Sequence, residues 1–313
     1  MKILFVADPL ESFKIDKDTT FSMMREAQNR GHQVVACEMT DVRWQQGDAV
    51  SAQVREIRLT GDTTTWFTPS STVREALKNF DAVVMRKDPP FDSEYFYATH
   101  LLGQAEREGA KVFNSPAALR DHPEKLAIME FAQFTAPTLV TRSEVDIRKF
   151  HSAHGDIILK PLDGMGGMGI FKVGADGLNL GAIIETLNQG GTQTVMVQKF
   201  LSGIAQGDKR VLLIGGKPVP FCLARIPQGT EVRGNLAAGG KGVAQAISAR
   251  DREIAEALGP TLFARGLMLV GLDIIGENLT EINVTSPTCF QEITDQTGCD
   301  VAALFLDALE AAL

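Results

Sequence analysis

The sequence predicts an α/β protein in which a parallel-sheet unit precedes two lobes of mixed α+β character. Three stretches carry that prediction. Residues 2–7, a helical segment and residues 33–38 make a β-α-β opening, which favours a parallel sheet with helices on its faces. Residues 156–163 run into Gly164-Met165-Gly166-Gly167-Met168-Gly169 and then an extended 170–173, which reads as a hairpin with a glycine-rich tip. Near the end, GLDIIGENLTEINVTSPT at 271–288 reads as a second hairpin, and it carries acidic side chains.

In chain order, the first apolar run stops at Asp8-Pro9. Thr19 or Thr20 can cap a helix through Arg30, with Gly31 as its stop. No G-x-G-x-x-G follows the first strand, so the pyrophosphate cradle of a dinucleotide fold is missing. Residues 41–69 are polar and are assigned no element. Residues 82–85 form another strand, which runs into Arg86. Ligands of open parallel sheets bind beyond the carboxyl ends of strands. Arg86 is either a carboxylate-binding residue in that place or a charged turn stopped by Pro89 and Pro90. Ser93 caps a helix to Gly109, and 111–114 closes a first domain, placed at 1–121.

A central lobe is placed at 122–200. It holds a helix from Pro123 to about Phe134, a strand at 138–141, a helix capped by Ser143, the glycine hairpin, a helix at 178–188 and a strand at 194–200. Glycine tips let backbone N–H groups approach phosphate oxygens, and Lys160 supplies a nearby charge. The hairpin differs from a P-loop, because no Lys-Ser/Thr and no helix follow the last glycine.

The third lobe is placed at 201–313. Asp208-Lys209-Arg210 opens a strand to Ile214, and Gly215-Gly216 turns it into 219–226, where Arg225 faces the same surface as Arg210 or its neighbours. Residues 227–242, PQGTEVRGNLAAGGKG, form a long glycine-rich loop with Arg233 and Lys241, read as a mobile lid. Ser248 caps a helix to Arg265, and a helix from Val301 closes the chain.

In the last hairpin a three-residue loop, Gly276-Glu277-Asn278, puts Asp273 opposite Glu281, with Asn283 on the same face. Paired carboxylates roughly 5 Å apart repel. A hard divalent cation would remove the repulsion, because Asp, Glu and Asn supply the oxygen ligands that Mg²⁺ takes. A solvated edge hairpin is the other reading.

The net charge of −8 argues against general nucleic-acid binding. No stretch approaches the ~20 apolar residues of a membrane span. Cys37, Cys222, Cys289 and Cys299 form no C-x-x-C pair and suit a reducing compartment, so a cytoplasmic protein is expected.

Together these pieces resemble the ATP-grasp superfamily, two α+β lobes gripping ATP after an N-terminal Rossmann-like α/β domain. Within it, MRKDPPFD at 85–92, ILKPLDGMGG at 158–167, GDKRVL at 207–212, LARIPQG at 223–229, RGNLAAGG at 233–240 and LTEINVTSPT at 279–288 resemble the bacterial glutathione synthetases. The resemblance implies ligation of γ-glutamylcysteine to glycine, with ATP going to ADP and phosphate through an acylphosphate, in a homo-oligomer (tetramer or dimer). It implies Mg²⁺, with Mn²⁺ as an alternative, on Asp273, Glu281 and Asn283. Lys125, Lys160, Gly164, Gly166, Gly167 and Asp208 fall on the nucleotide, with Gln198, Lys199, Phe200 and Leu201 at the adenine. Arg210, Arg225 and Arg233 fall around the phosphates and the acyl centre, and Arg86, Asn283, Ser286 and Thr288 on the peptide side. A D-alanine–D-alanine type ligase and a non-catalytic ATP-binding protein are the other readings.

Overall fold

The computed structural model describes all 313 residues. β1 (Lys2–Ala7), α1 (Thr19–Asn29), β2 (Gln33–Glu38), β3 (Ser51–Leu59), β4 (Phe67–Pro69), β5 (Val73–Ala76), β6 (Ala82–Met85), α2 (Ser93–Arg107) and β7 (Val112–Phe113) build the first unit. Its strands lie in the order β4-β3-β2-β1-β6-β7, with β5 also on β3. β1 runs parallel to β2 and β6, as the β-α-β opening requires. Residues 41–69, to which no element was assigned, contain the nine-residue β3. Its burial alternates through Ala52 and Val54 and then slips phase to Ile57, which hides the period of two.

The caps differ from expectation. Asp18 caps α1 by accepting from Phe21 N, and Asp92 caps α2 by accepting from Tyr95 N. The two threonines are drawn into long-range contacts instead. Thr19 Oγ1 accepts from Phe290 N, and Thr20 Oγ1 accepts from Arg86 Nε.

After α3 (Pro116–Asp121), the second sheet comprises β8 (Thr138–Thr141), β9 (Ile157–Pro161), β10 (Phe171–Val173) and β11 (Val195–Lys199), in the order β10-β9-β11-β8. α4 (Glu144–His154) and α5 (Leu180–Asn188) bury Ile147, Leu180 and Ile184 against its Ile157, Leu159 and Val197. β9 and β10 are antiparallel, so the glycines do tip a hairpin. The helix expected from Pro123 is instead a 3₁₀ stretch, Ala127–Phe134, broken at Phe131. The Glu124 carbonyl accepts from Ile282 N, which ties this segment to the last hairpin and not to a helix of its own.

The third sheet is antiparallel: β12 (Asp208–Ile214), β13 (Lys217–Ile226), β14 (Lys241–Ala246), β15 (Leu269–Ile275) and β16 (Asn278–Asn283), ordered β14-β13-β12-β15-β16. α6 (Ala249–Ala264) begins at a capping box between Ser248 and Asp251 and buries Ile254, Leu258 and Leu262. β14 already includes Lys241, paired with Ile226, so the loop between the strands is 227–240, with a 3₁₀ turn at Leu236–Ala238.

Two short helices end the chain: α7 (Phe290–Thr297), which the sequence did not suggest, and α8 (Val301–Ala311). Phe305, Leu306 and Leu309 of α8 share one apolar cluster with Ile3, Phe5 and Met23 of the first unit and Leu212 and Ile214 of the third sheet. Arg30, the C-cap of α1, adds an ion pair to Asp307 at 2.7 Å. No helix is long and apolar enough to cross a membrane.

Candidate active site

β12, β13, β15 and β16 direct one set of alternating side chains to the face that looks toward the glycine hairpin. Asp208 pairs with Arg225 and Arg210 with Asp273, and Asp273 in turn pairs with Glu281. One face therefore holds three carboxylates and two guanidinium groups. Lys125 and Lys160 reach it from the second sheet's side.

The register of the last hairpin has a different origin from the one expected. The turn is two residues, Gly276-Glu277, closed by Ile275 opposite Asn278. The ladder then shifts between Ile274 and Asp273, so that Asp273 still meets Glu281 and Gly271 meets Asn283. Thr280 is the bulged residue. A two-residue turn with positive φ at Gly276 (59°) suits the strand twist, and the bulge supplies the extra residue.

Asp273 is buried and fully engaged. Arg210 donates Nε to Oδ1 at 2.6 Å and a second bond to Oδ2 at 3.1 Å, and Arg225 lies 2.9 Å from Oδ2. Burial pushes this carboxyl up, but Arg210 and then Arg225 outweigh it and hold it below the usual carboxylate range. Arg225 also donates to Asp208 Oδ2 at 2.5 Å. Asp208 Oδ1 is buried with no partner, and burial lifts this carboxyl to about 6 against the pull of Arg225.

Lys125 binds Gly164 O at 2.5 Å and Glu281 at 3.1 Å, joining the base of the glycine hairpin to the acidic face. Lys160 is buried, and its ammonium has one long hydrogen bond, 3.5 Å to Thr280 O. Burial lowers its pKa, partly offset by Glu281. A buried ammonium with unfilled donor capacity is a place for an anion.

Two adjoining cavities, of about 240 and 100 Å³, share Lys160, Ile170, Asn235, Asp273 and Glu281 in their walls. The larger is lined by Gly164, Gly166, Gly167, Lys125, Arg210, Arg225, Asn283, Ser286 and Thr288, all singled out from the sequence. The smaller is lined by Gln198, Lys199, Phe200, Leu201, Asp208 and Arg233, also singled out, together with apolar Ile158, Ile204, Val232 and Ile275. It is a partly apolar slot, eight of its 18 lining residues being hydrophobic. Gln198 is buried and donates to Thr138 Oγ1. Phe200 carries Lys172 Nζ 4.0 Å from its ring centroid.

Arg86 departs from the expected place. It is buried and lines neither cavity, donating to Thr20 Oγ1 and to Pro287 O, in the 286–288 segment whose Ser286 and Thr288 line the larger one. The strand end points its side chain inward because α1 and the 286–288 segment both offer acceptors there. Arg233 lies over the glycine tip, donating to Gly167 O at 3.1 Å and paired with Glu231 at 2.5 Å. The loop thus rests on the glycine hairpin. Gly234 and Gly240 permit this, since a Cβ would sit 2.2 Å from Arg225 O at the first and 2.0 Å from Gly234 O at the second.

Four polar cavity residues escaped the sequence reading as site residues: Asp88, Glu124, Asn235 and Thr280. Glu124 Oε1 accepts from Val284 N, Thr285 N and Thr285 Oγ1, which clamps the end of β16. Asp88 accepts from the Ser286 hydroxyl. Asp88, Asn235 and Thr280 lie within the motif blocks themselves, whereas Glu124 had only the adjacent Lys125 as a signal.

Asp273, Glu281 and Asn283 supply the oxygen type that a hard divalent cation takes, and in this structure both Asp273 oxygens are held by Arg210 and Arg225. Asp273 and Glu281 are neighbours across the ladder, and Asn283 donates its amide nitrogen to Gly271 O, leaving its oxygen for a ligand role. All three line the larger cavity, whose wall holds no histidine and one cysteine, Cys289.

The profile of the prokaryotic glutathione synthetase N-terminal domain matches residues 1–120, and that of the prokaryotic glutathione synthetase ATP-grasp domain matches 124–298. A glutathione synthetase of Ralstonia nicotianae is 59% identical over all of this chain and 96% of its own length. Those of Nitrosomonas europaea and Neisseria meningitidis serogroup B are 57% and 56% identical, each over 99% of this chain and 98% of their own. Among solved structures, the D-cycloserine synthetase DcsG superposes with a TM-score of 0.69 at 15% identity, and the ATP-grasp ligase PsnB complexed with a minimal precursor superposes at 0.64 and 19%. Each covers 99% of both chains. At such identities these two show the fold alone, and that fold is ATP-grasp. The chain is an ATP-dependent ligase that belongs to the prokaryotic glutathione synthetase family.

Proposed function

We propose that the protein joins γ-glutamylcysteine to glycine at the two adjoining cavities, with ATP converted to ADP and phosphate through an acylphosphate. The observation that carries this reading is Lys160. Its buried ammonium stands in the wall common to both cavities with one long hydrogen bond of its own. An adenine in the partly apolar slot beside Gln198, Lys199, Phe200 and Leu201, with the ribose at Asp208, brings the phosphates to Lys160, Lys125 and the tip at Gly164, Gly166 and Gly167. Asp273, Glu281 and Asn283 would hold Mg²⁺ or Mn²⁺. When bound, that ion screens phosphate charge and polarises the γ-phosphoryl group.

The residues then divide the work. Lys160 and Lys125 hold the phosphates in line with the peptide carboxylate, whose oxygen takes the γ-phosphoryl group as ADP leaves. Ser286, Thr288 and Asn283 orient the peptide, and Arg86 acts on it by anchoring Pro287. Glycine's amine attacks the acyl carbon, and phosphate leaves with the oxygen that came from the carboxylate. Arg210 and Arg225 offset the charge that develops on the tetrahedral oxygen. Loop 227–240, with Arg233 on Gly167, excludes water that would hydrolyse the acylphosphate. The three lobes at 1–121, 122–200 and 201–313, a cytoplasmic location and a homo-oligomer complete the reading. All four cysteines are unpaired, as a reducing compartment keeps them.

The test is product identity and the fate of oxygen. With ATP, Mg²⁺, γ-glutamylcysteine and glycine, the product mass should be that of the tripeptide. Peptide labelled with ¹⁸O in the cysteinyl carboxylate should pass one labelled oxygen to phosphate per turnover. Label in AMP, or release of pyrophosphate, overturns the acylphosphate route. A product lacking glycine overturns the substrate assignment.

A further inference from the structure

We infer that Thr280 is a positioning residue for the metal- and phosphate-binding face, acting through the bulge it forms in the last hairpin. The inference rests on the reading of Asp273, Glu281 and Asn283 as metal ligands. The ladder starts at the turn with Ile275 opposite Asn278 and Ile274 opposite Leu279. Continued without interruption, it would set Asp273 against Thr280, Leu272 against Glu281 and Val270 against Asn283. Leu272 and Val270 are buried in the apolar core. A one-residue slip moves every later side chain to the other face of the sheet. Glu281 and Asn283 would then point into the core, and the oxygen site would not exist.

Thr280 absorbs that residue. Beyond it the observed pairs are Asp273 with Glu281, Leu272 with Ile282 and Gly271 with Asn283. Three of its groups then act on the site. Its hydroxyl donates to Asp273 O at 3.1 Å, tying the bulge to the strand that carries the opposing carboxylate. Its carbonyl, turned out of the ladder, takes the hydrogen bond from Lys160 at 3.5 Å. Its side chain is buried and forms part of the wall of the smaller cavity. Bulges next to active sites re-aim side chains in this way. One residue therefore orients a carboxylate pair and the phosphate-facing ammonium together.

The test compares Thr280→Val, which keeps the branched shape and loses the hydroxyl, with Thr280→Ser, which keeps the hydroxyl. ATP is titrated calorimetrically into the full-length protein at a series of Mg²⁺ concentrations, and thermal melts are recorded without nucleotide. Thr280→Val should need about two- to tenfold more Mg²⁺ for half-maximal nucleotide affinity, the effect of one lost buried hydrogen bond. Thr280→Ser should match the wild type. Thr280→Ala carries the same expectation if the valine variant does not fold. A lower melting temperature with unchanged Mg²⁺ dependence would mean a purely structural threonine and would overturn the inference. Glu281→Gln is the reference. If it too leaves the Mg²⁺ dependence unchanged, the metal-ligand reading fails. If it shifts that dependence and the Thr280 variants do not, only the role of Thr280 fails.

Discussion

At the residue scale the site is a set of charges whose partners are only partly supplied by the protein. Lys160 is the clearest case, since its neighbours Glu281 and Thr280 leave most of its donor capacity open. Lys160→Ala should slow ADP formation by about 10²-fold, the usual loss for one preorganised group facing developing charge. Rapid-quench measurement of the first turnover checks it, and a rate near the wild type would remove Lys160 from the phosphates. Asp208 gives a pH prediction. Its carboxyl is raised to about 6 from 3.8, so the folded chain holds this proton more tightly than the unfolded one. Its contribution to stability is therefore fully present below pH 3.8 and is lost as the pH rises through about 6. Asp208→Asn cannot ionise, so the melting temperature of the wild type should fall relative to that variant across this window. Melts at pH 4 to 8 without nucleotide test the sign, and a relative rise for the wild type would contradict it.

At the element scale the informative piece is the loop between β13 and β14. It rests on the glycine hairpin through Arg233 and Gly167, and its own backbone folds tightly enough that Gly234 and Gly240 admit no side chain. Gly234→Ala should keep the loop from seating, because a Cβ would meet Arg225 O at 2.2 Å. The expected result is a kcat loss of about tenfold or more with a nearly unchanged melting temperature. Limited trypsin digestion gives the independent readout. ATP, Mg²⁺ and γ-glutamylcysteine should slow cleavage at Arg233 in the wild type and should not protect the variant. Lys241 is held in β14, so it should be cut more slowly than Arg233 even in the free protein.

At the scale of the whole molecule, the end of the chain closes the structure on its beginning. Phe305 in α8 belongs to the same apolar cluster as Ile3, Phe5 and Trp66. Trp66 is buried among Phe13, Phe21 and Phe67. Phe305→Ala should destabilise the protein by about 3–5 kcal/mol, the range for a large core aromatic. Both tryptophans, Trp44 and Trp66, lie in the first unit. The tryptophan fluorescence transition in urea should therefore move to lower denaturant, although the substitution is far away in sequence. An unmoved midpoint would mean that α8 is no part of that core.

Much of this arrangement was legible in local patterns. The apolar runs of β1, β2 and β6 announce buried strands, the glycines between β9 and β10 announce a tip, and Ser143 and Ser248 announce helix starts. The acid and amide spacing at Asp273, Glu281 and Asn283, the glycine tip and the basic Lys160, Arg210, Arg225 and Arg233 were readable locally, whereas Lys125, Gln198, Lys199, Phe200, Leu201, Asp208, Ser286 and Thr288 came only from the family resemblance; all of these line the two cavities. The readable signals are local because strand alternation, capping and turn chemistry involve residues close in sequence. What only the tertiary structure decided was where distant groups meet. Arg86 turned inward because Thr20 and Pro287 O offer it acceptors, 66 and 201 residues away. Glu124 became a clamp on β16 and not a helix residue because Val284 and Thr285 present their N–H groups to it. Asp273 met Glu281 through a two-residue turn and a bulge, where the sequence pointed to a three-residue loop. Both routes put the same side chains on the same face, and the choice lies in the hydrogen bond from Thr280 to Asp273 O and the twist of the sheet around it, neither of which a single strand contains.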